Sequence, residues 1–386
     1  METVKIVGEK LHRMYETNDL SVYEGIPFGD ILLNSSYSEL THLGFELGDS
    51  VDIRFSSGEC LENIPLLSGC ILPEGVIYLN APRGADFVRV EKRFGHVWAH
   101  CRMKGAETGR ITLRKQRKFI LLQKNFYADY SSDRKEYPSD EDFANYRSVS
   151  AGKIPEGRLY RSAGVLDSFG NKYKFIIIKN CMSSLLERDG IRFVLNMSYS
   201  GDHMGKVFRS GIYKGSYLQK LYEEGHFYSD LFPADFSSYG FRESLAAALR
   251  ELIQHPGPYL IQCRAGLDRT GFVCCLLEAL ACADQSGITD DYMRSYDCLC
   301  GITKQSDGIR YDTLRKYQLS TLLESLTLEN RIPRSITADA LCSGKAEYGK
   351  EYSYSSAELS VSAERYLRRC GLLASEIERL KQCLTE

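Results

Sequence analysis

The chain of 386 residues has no surplus of charge and no long hydrophobic run. It has 49 Lys and Arg against 51 Asp and Glu, so it lacks the basic excess typical of a nucleic-acid-binding protein. The longest apolar stretch, Phe272 to Ala283, is interrupted by Glu278 and is shorter than the roughly 20 residues that cross a bilayer. Met1 to Lys10 do not resemble a secretory signal, because acids interrupt them.

The 13 cysteines form no Cys-x-x-Cys pair and accompany no regularly spaced histidines. This pattern argues against a disulfide framework and against a structural zinc site. Apolar residues (43%) and charged residues (26%) are in ordinary globular balance, which excludes a disordered chain. We therefore expect a folded protein of the reducing cytoplasm, with no cofactor, no nucleic-acid partner and no membrane span.

The length predicts two domains, and the sequence pattern changes about a third of the way along the chain. Residues 1–125 contain short apolar or alternating stretches separated by turn residues, which indicates a small β-barrel or sandwich of unknown role. The predicted strands are Val4–Val7, Val51–Phe55, Val76–Leu79, Phe87–Val90, Ile111–Leu113 and Phe119–Leu122. Residues 126–142 are rich in charge and serine and predict an exposed linker.

Residues 143–386 alternate between predicted strands and helices, which indicates an α/β domain with a parallel sheet flanked by helices. The predicted strands are Arg192–Met197 and Tyr259–Gln262, and the predicted helices are Tyr173–Glu187, Phe241–Gln254 and Arg269–Ala283. Near the carboxyl terminus, Ser375 and Glu378 have the spacing of a capping box at a helix start. We expect that last helix to pack on the same domain.

The segment from Tyr259 to Gly271 is where we expect chemistry. A buried strand ends at Cys263, a glycine-containing loop follows, and a helix begins at Arg269. Such a loop directs backbone N–H groups towards an anion, with the positive end of the helix dipole behind them, and phosphate is the natural occupant. The residues expected to surround it are Arg264, Ala265, Gly266, Leu267, Asp268 and Arg269.

Each side chain of this loop has an expected role. The oriented amides favour the thiolate form of Cys263, which makes it a nucleophile. Arg269 can hold two phosphoryl oxygens with its planar guanidinium, and Thr270 can donate its hydroxyl to the sulfur. Arg264 adds positive charge at the rim. Asp268 either positions the hydrolytic water or braces the loop, and both interpretations stay open.

This segment resembles the His-Cys-x5-Arg-Ser/Thr signature of the cysteine-dependent protein tyrosine phosphatase superfamily. Its ending, Ala-Gly-x-Asp-Arg-Thr-Gly, is similar to a bacterial branch of atypical tyrosine, dual-specificity, phosphoinositide and inositol-polyphosphate phosphatases. The segments Asn145-Tyr-Arg147 and Gly157 to Ser162, and the tail from Ala363 to Leu384, resemble the same branch. The resemblance covers roughly Phe143 to the end of the chain.

The resemblance implies metal-free hydrolysis of phosphomonoesters through a phosphocysteine, with phosphotyrosine in proteins as the first substrate class. Gln262 departs from the family pattern, which has His before the nucleophile. Because a Gln amide carries no charge, we expect the reaction to be slower rather than different. The alternative substrates are phosphorylated small molecules and lipid headgroups, although Leu267 stands where inositol-selective relatives tend to carry a second cation.

The reaction also needs a proton donor for the leaving oxygen, and Asp235 is the expected general acid. It precedes the helix that leads back into the Tyr259 strand, so it should lie at the same sheet edge as the loop. Asp230 is the second candidate. Arg147 and Arg161 match family positions; either can reach the site, but we expect a structural salt bridge for each.

Three other interpretations remain open at this point. A Cys-x5-Arg loop also serves sulfur transfer and arsenate reduction, which would not need Asp235. Gln262 makes a catalytically weak phosphate-binding module a further possibility. The amino-terminal domain can have a separate binding function, for which its sequence names no ligand.

Overall fold

The computed structural model describes residues 2–7, 10–15, 20–25, 30–82, 85, 87–95, 97–103, 107–131, 133–164, 181–329, 334–343 and 353–386. The chain divides into two compact units. The first, called here the barrel unit, comprises Met1–Asp129, Gly308–Gln318 and Pro333–Lys350. The second, called the sheet unit, comprises Tyr130–Asp307, Leu319–Ile332 and Glu351–Glu386. The domain limits 1–125, 126–142 and 143–386 stay a prediction.

The barrel unit contains a hairpin and a closed barrel. Its strands are β1 (Glu2–Val7), β2 (Lys10–Tyr15), β3 (Leu20–Gly25), β4 (Asp30–Leu33), β5 (Asp49–Phe55), β6 (Cys60–Leu67), β7 (Ile77–Asn80), β8 (Val88–Lys92) and β9 (Glu107–Lys118). Strands β1 and β2 pair with each other, and the barrel has the order β3-β4-β8-β7-β6-β5-β9. Neighbouring strands are antiparallel except for β6 and β7. Apolar side chains such as Ile31, Val51, Leu66 and Val90 fill its core.

One predicted strand in this unit is wrong. Phe119–Leu122 was expected to be extended, but helix α3 begins at Ile120 and ends at Asn125. Phe119, Leu122 and Phe126 are buried, whereas Ile120 and Leu121 are each 52% exposed. Burial at intervals of three and four residues is the period of a helix. The sequence does not show this period, because all four residues from Phe119 to Leu122 are apolar. The other helices before α3 are α1 (Tyr37–His42) and α2 (Val97–His100).

The sheet unit has a mixed sheet, which corrects the prediction of a parallel one. Its strands are β10 (Arg147–Val149), β11 (Leu159–Ala163), β12 (Phe193–Asn196), β13 (Phe227–Ser229) and β14 (Tyr259–Cys263), in the order β10-β11-β14-β12-β13. Strands β11, β14, β12 and β13 are parallel, but β10 is antiparallel to β11 at the edge. The connection from Val149 to Leu159 is too short for the helical crossover that parallel neighbours need.

Helices surround this sheet. They are α4 (Asp140–Ala144), α5 (its described part being 181–188), α6 (Gly201–Arg209), α7 (Tyr217–Glu223), α8 (Tyr239–Leu252), α9 (Asp268–Leu280) and α10 (Gln285–Cys300). Later in the chain, the sheet unit also contains α12 (Ser320–Thr327), α14 (Ser356–Arg369) and α15 (Ala374–Thr385). The barrel unit contains α11 (Gly308–Leu314), α13 (Ala338–Cys342) and most of a π-helical turn (Arg315–Leu319). A 3₁₀ turn (Arg134–Glu136) precedes α4. None of the described helices combines the length and the apolar character that a membrane span requires.

Two predictions about helices need comment. The predicted helix Tyr173–Glu187 is helical from residue 181, and its earlier part lies outside the described residues. The predicted capping box of Ser375 and Glu378 is wrong, because α15 starts earlier: Glu376 accepts a hydrogen bond from Leu373 N (2.7 Å). The exposed Glu378 instead pairs with Lys381 one turn later (2.8 Å).

The register of the parallel strands brings their carboxyl ends to one edge. Cys263 pairs with Ala163 on one side of β14, and Gln262 pairs with Asn196 on the other. All five residues of β14 are buried, and α9 after it is buried on nearly every side. The loops that follow β11, β12, β13 and β14 therefore lie together, where ligand sites of α/β sheets form.

Candidate active site

The loop between β14 and α9 has its carbonyl groups engaged by the protein. The carbonyl oxygen of Arg264 accepts a hydrogen bond from Gly164 N (3.0 Å). The oxygen of Ala265 accepts from Asn145 Nδ2 (3.1 Å), and that of Gly266 accepts from Arg161 Nη2 (2.8 Å). In a trans peptide the C=O and the following N–H point in opposite directions. The three carbonyl contacts therefore turn the following N–H groups to the other side of the loop.

Those N–H groups belong to Ala265, Gly266 and Leu267. Within the part of the chain that the structure describes, none of the three has a hydrogen-bond acceptor. They stand directly before α9, whose N-cap Leu267 supplies no side-chain cap. Backbone donors beside the positive end of a helix dipole form an anion site. The loop is thus arranged as a receptor for an oxyanion such as phosphate.

Gly266 makes the tight curve of this loop possible. Its φ is +70°, in the left-handed region that favours glycine. A Cβ atom at this position would lie 2.6 Å from Ser162 O and 2.8 Å from Asn145 Nδ2. Because those neighbours are a backbone atom and a buried side chain, neither can withdraw cheaply. A larger residue would push the loop away from β11 and change the direction of its amides.

Cys263 and Arg269 lie at the two ends of the loop and close to each other. Both are buried, at 3% and 5% exposed. Burial lowers the pKa of Arg269, while the negative charges of Cys263 and Asp268 oppose that shift and the positive charge of Arg264 adds to it. An arginine with such neighbours stays charged. A potential thiolate, a guanidinium and the loop amides thus share one small volume.

Arg269 also connects the loop to neighbouring strand ends. Its Nη1 donates to Met197 O (2.5 Å), just after β12, and to Phe232 O (3.3 Å), after β13. Phe232 stands three residues before Asp235, the predicted general acid. The guanidinium therefore tethers the segment that carries this acid to the edge where the loop lies.

The carboxylate of Asp235 is half-buried in the turn before α8. Its Oδ1 accepts hydrogen bonds from Ser237 N (2.8 Å) and Ser237 Oγ (2.6 Å). Asp230, the second candidate, accepts from Leu231 N (2.7 Å) immediately after β13. Both acids lie at the predicted edge. In this structure each carboxylate bonds within its own turn rather than to Cys263.

The remaining predicted residues differ in their surroundings. Asp268 begins α9 and Arg264 lies half-buried in the loop, and both act electrostatically on Arg269. Thr270 is fully buried, and among the described residues its Oγ1 has no hydrogen-bond partner, so the predicted bond to sulfur is not formed here. The side chain of Gln262 is fully buried, with Oε1 facing Ser162 Oγ (3.5 Å). Its Nε2 has no partner in the described part of the chain.

Sequence reasoning missed several side chains that hold the loop from behind. Asn145 contacts two loop carbonyls, and Asp291 on α10 pairs with both Arg147 and Arg161. Asp291 carries no motif, because it lies 28 residues after Cys263 on a helix that the sequence analysis did not predict. The Asn-x-Arg spacing at 145–147 was visible, yet its partners become apparent only in three dimensions.

One family model matches part of the chain. Residues 219–386 match a family model described as the tyrosine phosphatase family. The match contains the loop, α9 and both candidate acids, and it ends at the last residue of the chain. No curated protein is significantly similar to the chain in sequence. The matched segment supports a phosphatase of the tyrosine phosphatase type, a hydrolase that acts on phosphate esters.

No metal is indicated by the described side chains. Nowhere in the described ranges do three or more His, Cys, Asp or Glu side chains converge in a way that could hold an ion. The positive charge that the loop can offer comes from Arg269, from the amides and from the helix dipole.

Proposed function

We propose that the sheet unit hydrolyses phosphate monoesters through a covalent phosphocysteine, and that phosphotyrosine in proteins is its first substrate class. The observation that carries this proposal is the loop between Cys263 and Arg269, in which the N–H groups of Ala265, Gly266 and Leu267 have no acceptor among the described residues. The family match over residues 219–386 supports the same reaction class. The finer assignment to a bacterial atypical branch rests on the sequence resemblance.

The first step transfers the phosphoryl group to sulfur. The Cys263 thiolate attacks phosphorus in line, so that a P–S bond forms as the bond to the leaving oxygen breaks. Arg269 and the N–H groups of Ala265, Gly266 and Leu267 stabilise the charge on the equatorial oxygens. Asp235 gives its proton to the departing phenoxide or alkoxide. For this step the Asp235 carboxyl has to leave the turn in which it now accepts from Ser237.

The second step returns the free enzyme. Water attacks phosphorus, the P–S bond breaks, and the sulfur leaves as a thiolate that the loop amides stabilise. Asp235 now accepts the proton of the attacking water, and Asp268 is placed to orient that water or to brace the start of α9. Thr270 can donate its buried hydroxyl to the sulfur in this step after a rotation about χ1. Inorganic phosphate is the second product.

A phosphate-binding module without turnover is the second candidate function. The observation that favours it is Gln262, whose buried Nε2 has no partner in the described residues and whose amide carries no charge to stabilise a thiolate. In that case the loop would bind phosphorylated ligands and release them unchanged. Cys263, Arg269 and a nearby acid are all present, which supports the enzyme over the module.

The test is phosphate release from a panel of a phosphotyrosyl peptide, a phosphoseryl peptide, a phosphoinositide headgroup and an inositol polyphosphate. We expect wild type to release phosphate fastest from the phosphotyrosyl peptide and Cys263→Ser to release none. Cys101→Ser, which changes a buried cysteine of the barrel unit, serves as the matched control and should keep full activity. Equal release by wild type and Cys263→Ser would contradict the mechanism, and tight binding without release would favour the module.

A further inference from the structure

We propose that Asn145, Arg161 and the Arg147–Asp291 pair form a bracket that fixes the direction of the loop amides, and that these four are positioning residues for phosphate binding. The inference rests on the proposed function of the loop. These four side chains are called the bracket. The salt bridge expected for each of Arg147 and Arg161 is present, with Asp291 as the shared partner, and hydrogen bonds to the loop and to α10 accompany it.

Asn145 is the part of the bracket nearest the loop. Its Nδ2 donates to Ala265 O (3.1 Å) and to Gly266 O (3.4 Å), while its Oδ1 accepts from Arg147 Nη1 (2.7 Å). These partners fix which end of the amide faces the loop, because carbonyls need a donor and a guanidinium needs an acceptor. Asn145 is fully buried and has a φ of +49°, a conformation that Asn adopts more readily than most residues. The residue type is thus determined by both backbone and side chain.

Arg161 holds the loop from the neighbouring strand. Its guanidinium is fully buried, with Nη2 donating to Gly266 O (2.8 Å) and Nη1 paired to Asp291. Arg147 approaches the same carboxylate from the other side, with Nε 2.9 Å from Asp291 Oδ1. It also donates to Asp291 O (2.6 Å) and to Ser295 Oγ (3.0 Å), both on α10. The bracket therefore anchors the loop to β10, β11 and α10 together.

The bracket also places positive charge behind the loop. It contains two guanidinium groups and one carboxylate, and Arg161 and Arg147 keep the pKa of Asp291 below its usual value although burial opposes this. Burial, followed by the charge of Asp291, raises the pKa of the nearby Glu278 well above its usual value, which disfavours a second negative charge beside the two guanidinium groups. The surplus positive charge polarises the Gly266 peptide, whose carbonyl it contacts. The N–H of Leu267, in the same peptide group, becomes a stronger donor for an anion.

Stability alone does not account for these groups. A buried ion pair is no more stabilising than well-packed apolar residues of similar volume, because both charges lose their hydration. What apolar residues cannot do is donate hydrogen bonds to the loop carbonyls. If those carbonyls lost their donors, the peptide groups could rotate, and the three N–H groups would no longer converge on one anion.

The experiment measures oxyanion affinity in bracket variants. The variants are Asn145→Gly, which removes the amide but keeps a residue suited to positive φ, Arg161→Met, which removes the donor, and Arg161→Lys, which keeps the charge. The matched control is Arg250→Met, because Arg250 also joins a carboxylate (Glu376, 2.8 Å) to a backbone carbonyl (Gly371 O, 2.6 Å), on α8 and away from the loop. Inorganic phosphate and orthovanadate are the probes, and kcat/KM for an aryl phosphate is measured in parallel.

We expect Asn145→Gly and Arg161→Met to weaken the binding of both probes about ten-fold or more and to lower kcat/KM by at least that factor. Arg161→Lys should lose less, because an ammonium can still donate one hydrogen bond. Arg250→Met should lower Tm and leave the dissociation constants unchanged. A structural role alone would lower Tm in all variants without changing the affinity of the folded fraction.

The possible outcomes separate this inference from the proposed function. Folded bracket variants with unchanged oxyanion affinity and kcat/KM would overturn the inference. If Arg161→Met does not fold, Asn145→Gly and Arg161→Lys decide the question by the same readout. If wild type binds the probes but releases no phosphate from the aryl phosphate, the proposed enzymatic function is contradicted. The comparison of probe affinities between wild type and the bracket variants still tests the inference in that case. Wild type that binds neither probe overturns both.

Discussion

The two units of the chain use their backbone hydrogen-bonding groups in different ways. In the closed barrel every strand has a neighbouring strand on both sides, so the peptide groups of the strands form hydrogen bonds with these neighbours. In the sheet unit the strands end at an open edge, and the loop after β14 keeps N–H groups without acceptors among the described residues. The N–H groups without acceptors are the reason why we propose the loop after β14, and not the barrel, as the site of reaction.

Cysteines illustrate the same contrast. Burial raises the pKa of Cys70 to about 12 and that of Cys101 to about 11, both in the barrel unit. Cys263 is as buried as these two, but it lies beside Arg269 and at the base of an anion site. Burial also raises the pKa of Cys274 and Cys275 on α9, so the same residue type is an inert buried group at most positions and the proposed nucleophile at Cys263.

Among the variants that test this contrast between the two units, Asp235→Asn should have the largest effect on kcat/KM. Removing this proposed general acid should lower kcat/KM for a phenyl phosphate by about 10²- to 10⁴-fold, because the phenoxide must then leave without a proton. The loss should be much smaller for a nitrophenyl phosphate, whose leaving group needs no protonation. Steady-state rates with both esters measure the difference.

Two matched variants accompany that experiment. Asp230→Asn tests the second candidate acid, and Asp52→Asn changes a buried acid of the barrel unit that accepts from Asn63 N (2.7 Å). We expect Asp52→Asn to alter stability without altering turnover. If Asp230→Asn, and not Asp235→Asn, shows the dependence on the leaving group, then the acid has been assigned to the wrong residue.

The next effect in size compares two glycines with positive φ, one in each unit. Gly266→Ala should reduce oxyanion affinity at least ten-fold and destabilise the fold by about 2 kcal/mol or more, because its Cβ would overlap Ser162 O. Gly58→Ala, at a φ of +91°, meets nothing within 4 Å and should cost only about 1 kcal/mol of backbone strain. Urea unfolding and phosphate binding measure both. Equal losses in the two variants would show that the close approach of the loop to β11 is unimportant.

A smaller effect concerns thiol reactivity at neutral pH. Iodoacetamide should modify Cys263 before Cys70 and Cys101, since the raised pKa of each barrel thiol keeps it protonated. Inorganic phosphate should protect Cys263 by occupying the loop, and it should leave the exposed Cys60 unprotected. Peptide mass spectrometry of timed samples measures each site. Modification of Cys101 ahead of Cys263 would remove the contrast between the units.

The smallest effect is a pH dependence of stability. Glu278 has a raised pKa in the folded protein, so as pH rises above about 4.5 the unfolded chain loses this proton first and the free energy of unfolding falls. Glu278→Gln should remove that fall, and so should be more stable than wild type at neutral pH and equal to it in acid. Glu376, whose pKa Arg250 lowers, should show the opposite sign on substitution by Gln. Urea unfolding at several pH values measures both variants.

Much of this arrangement follows from the sequence, and the reasons for the rest are physical. Hydrophobic periodicity predicts the strand at Tyr259 and the helix after Cys263. The parallel arrangement of the strands predicts that Asp235 and the loop lie at one edge of the sheet. The contacts of Asn145 and Asp291 do not, because they join residues over a hundred positions apart. The antiparallel β10 and the helix at Ile120 were missed, since three-residue strands and unbroken apolar runs carry no usable period.

The most direct test of the central claim is mass spectrometry of the protein quenched rapidly in acid during turnover of an aryl phosphate. We expect a phosphate adduct on the peptide that contains Cys263 in the wild-type protein, and no adduct in the Cys263→Ser variant. Continued hydrolysis by Cys263→Ser, or an adduct on a different residue, would contradict it.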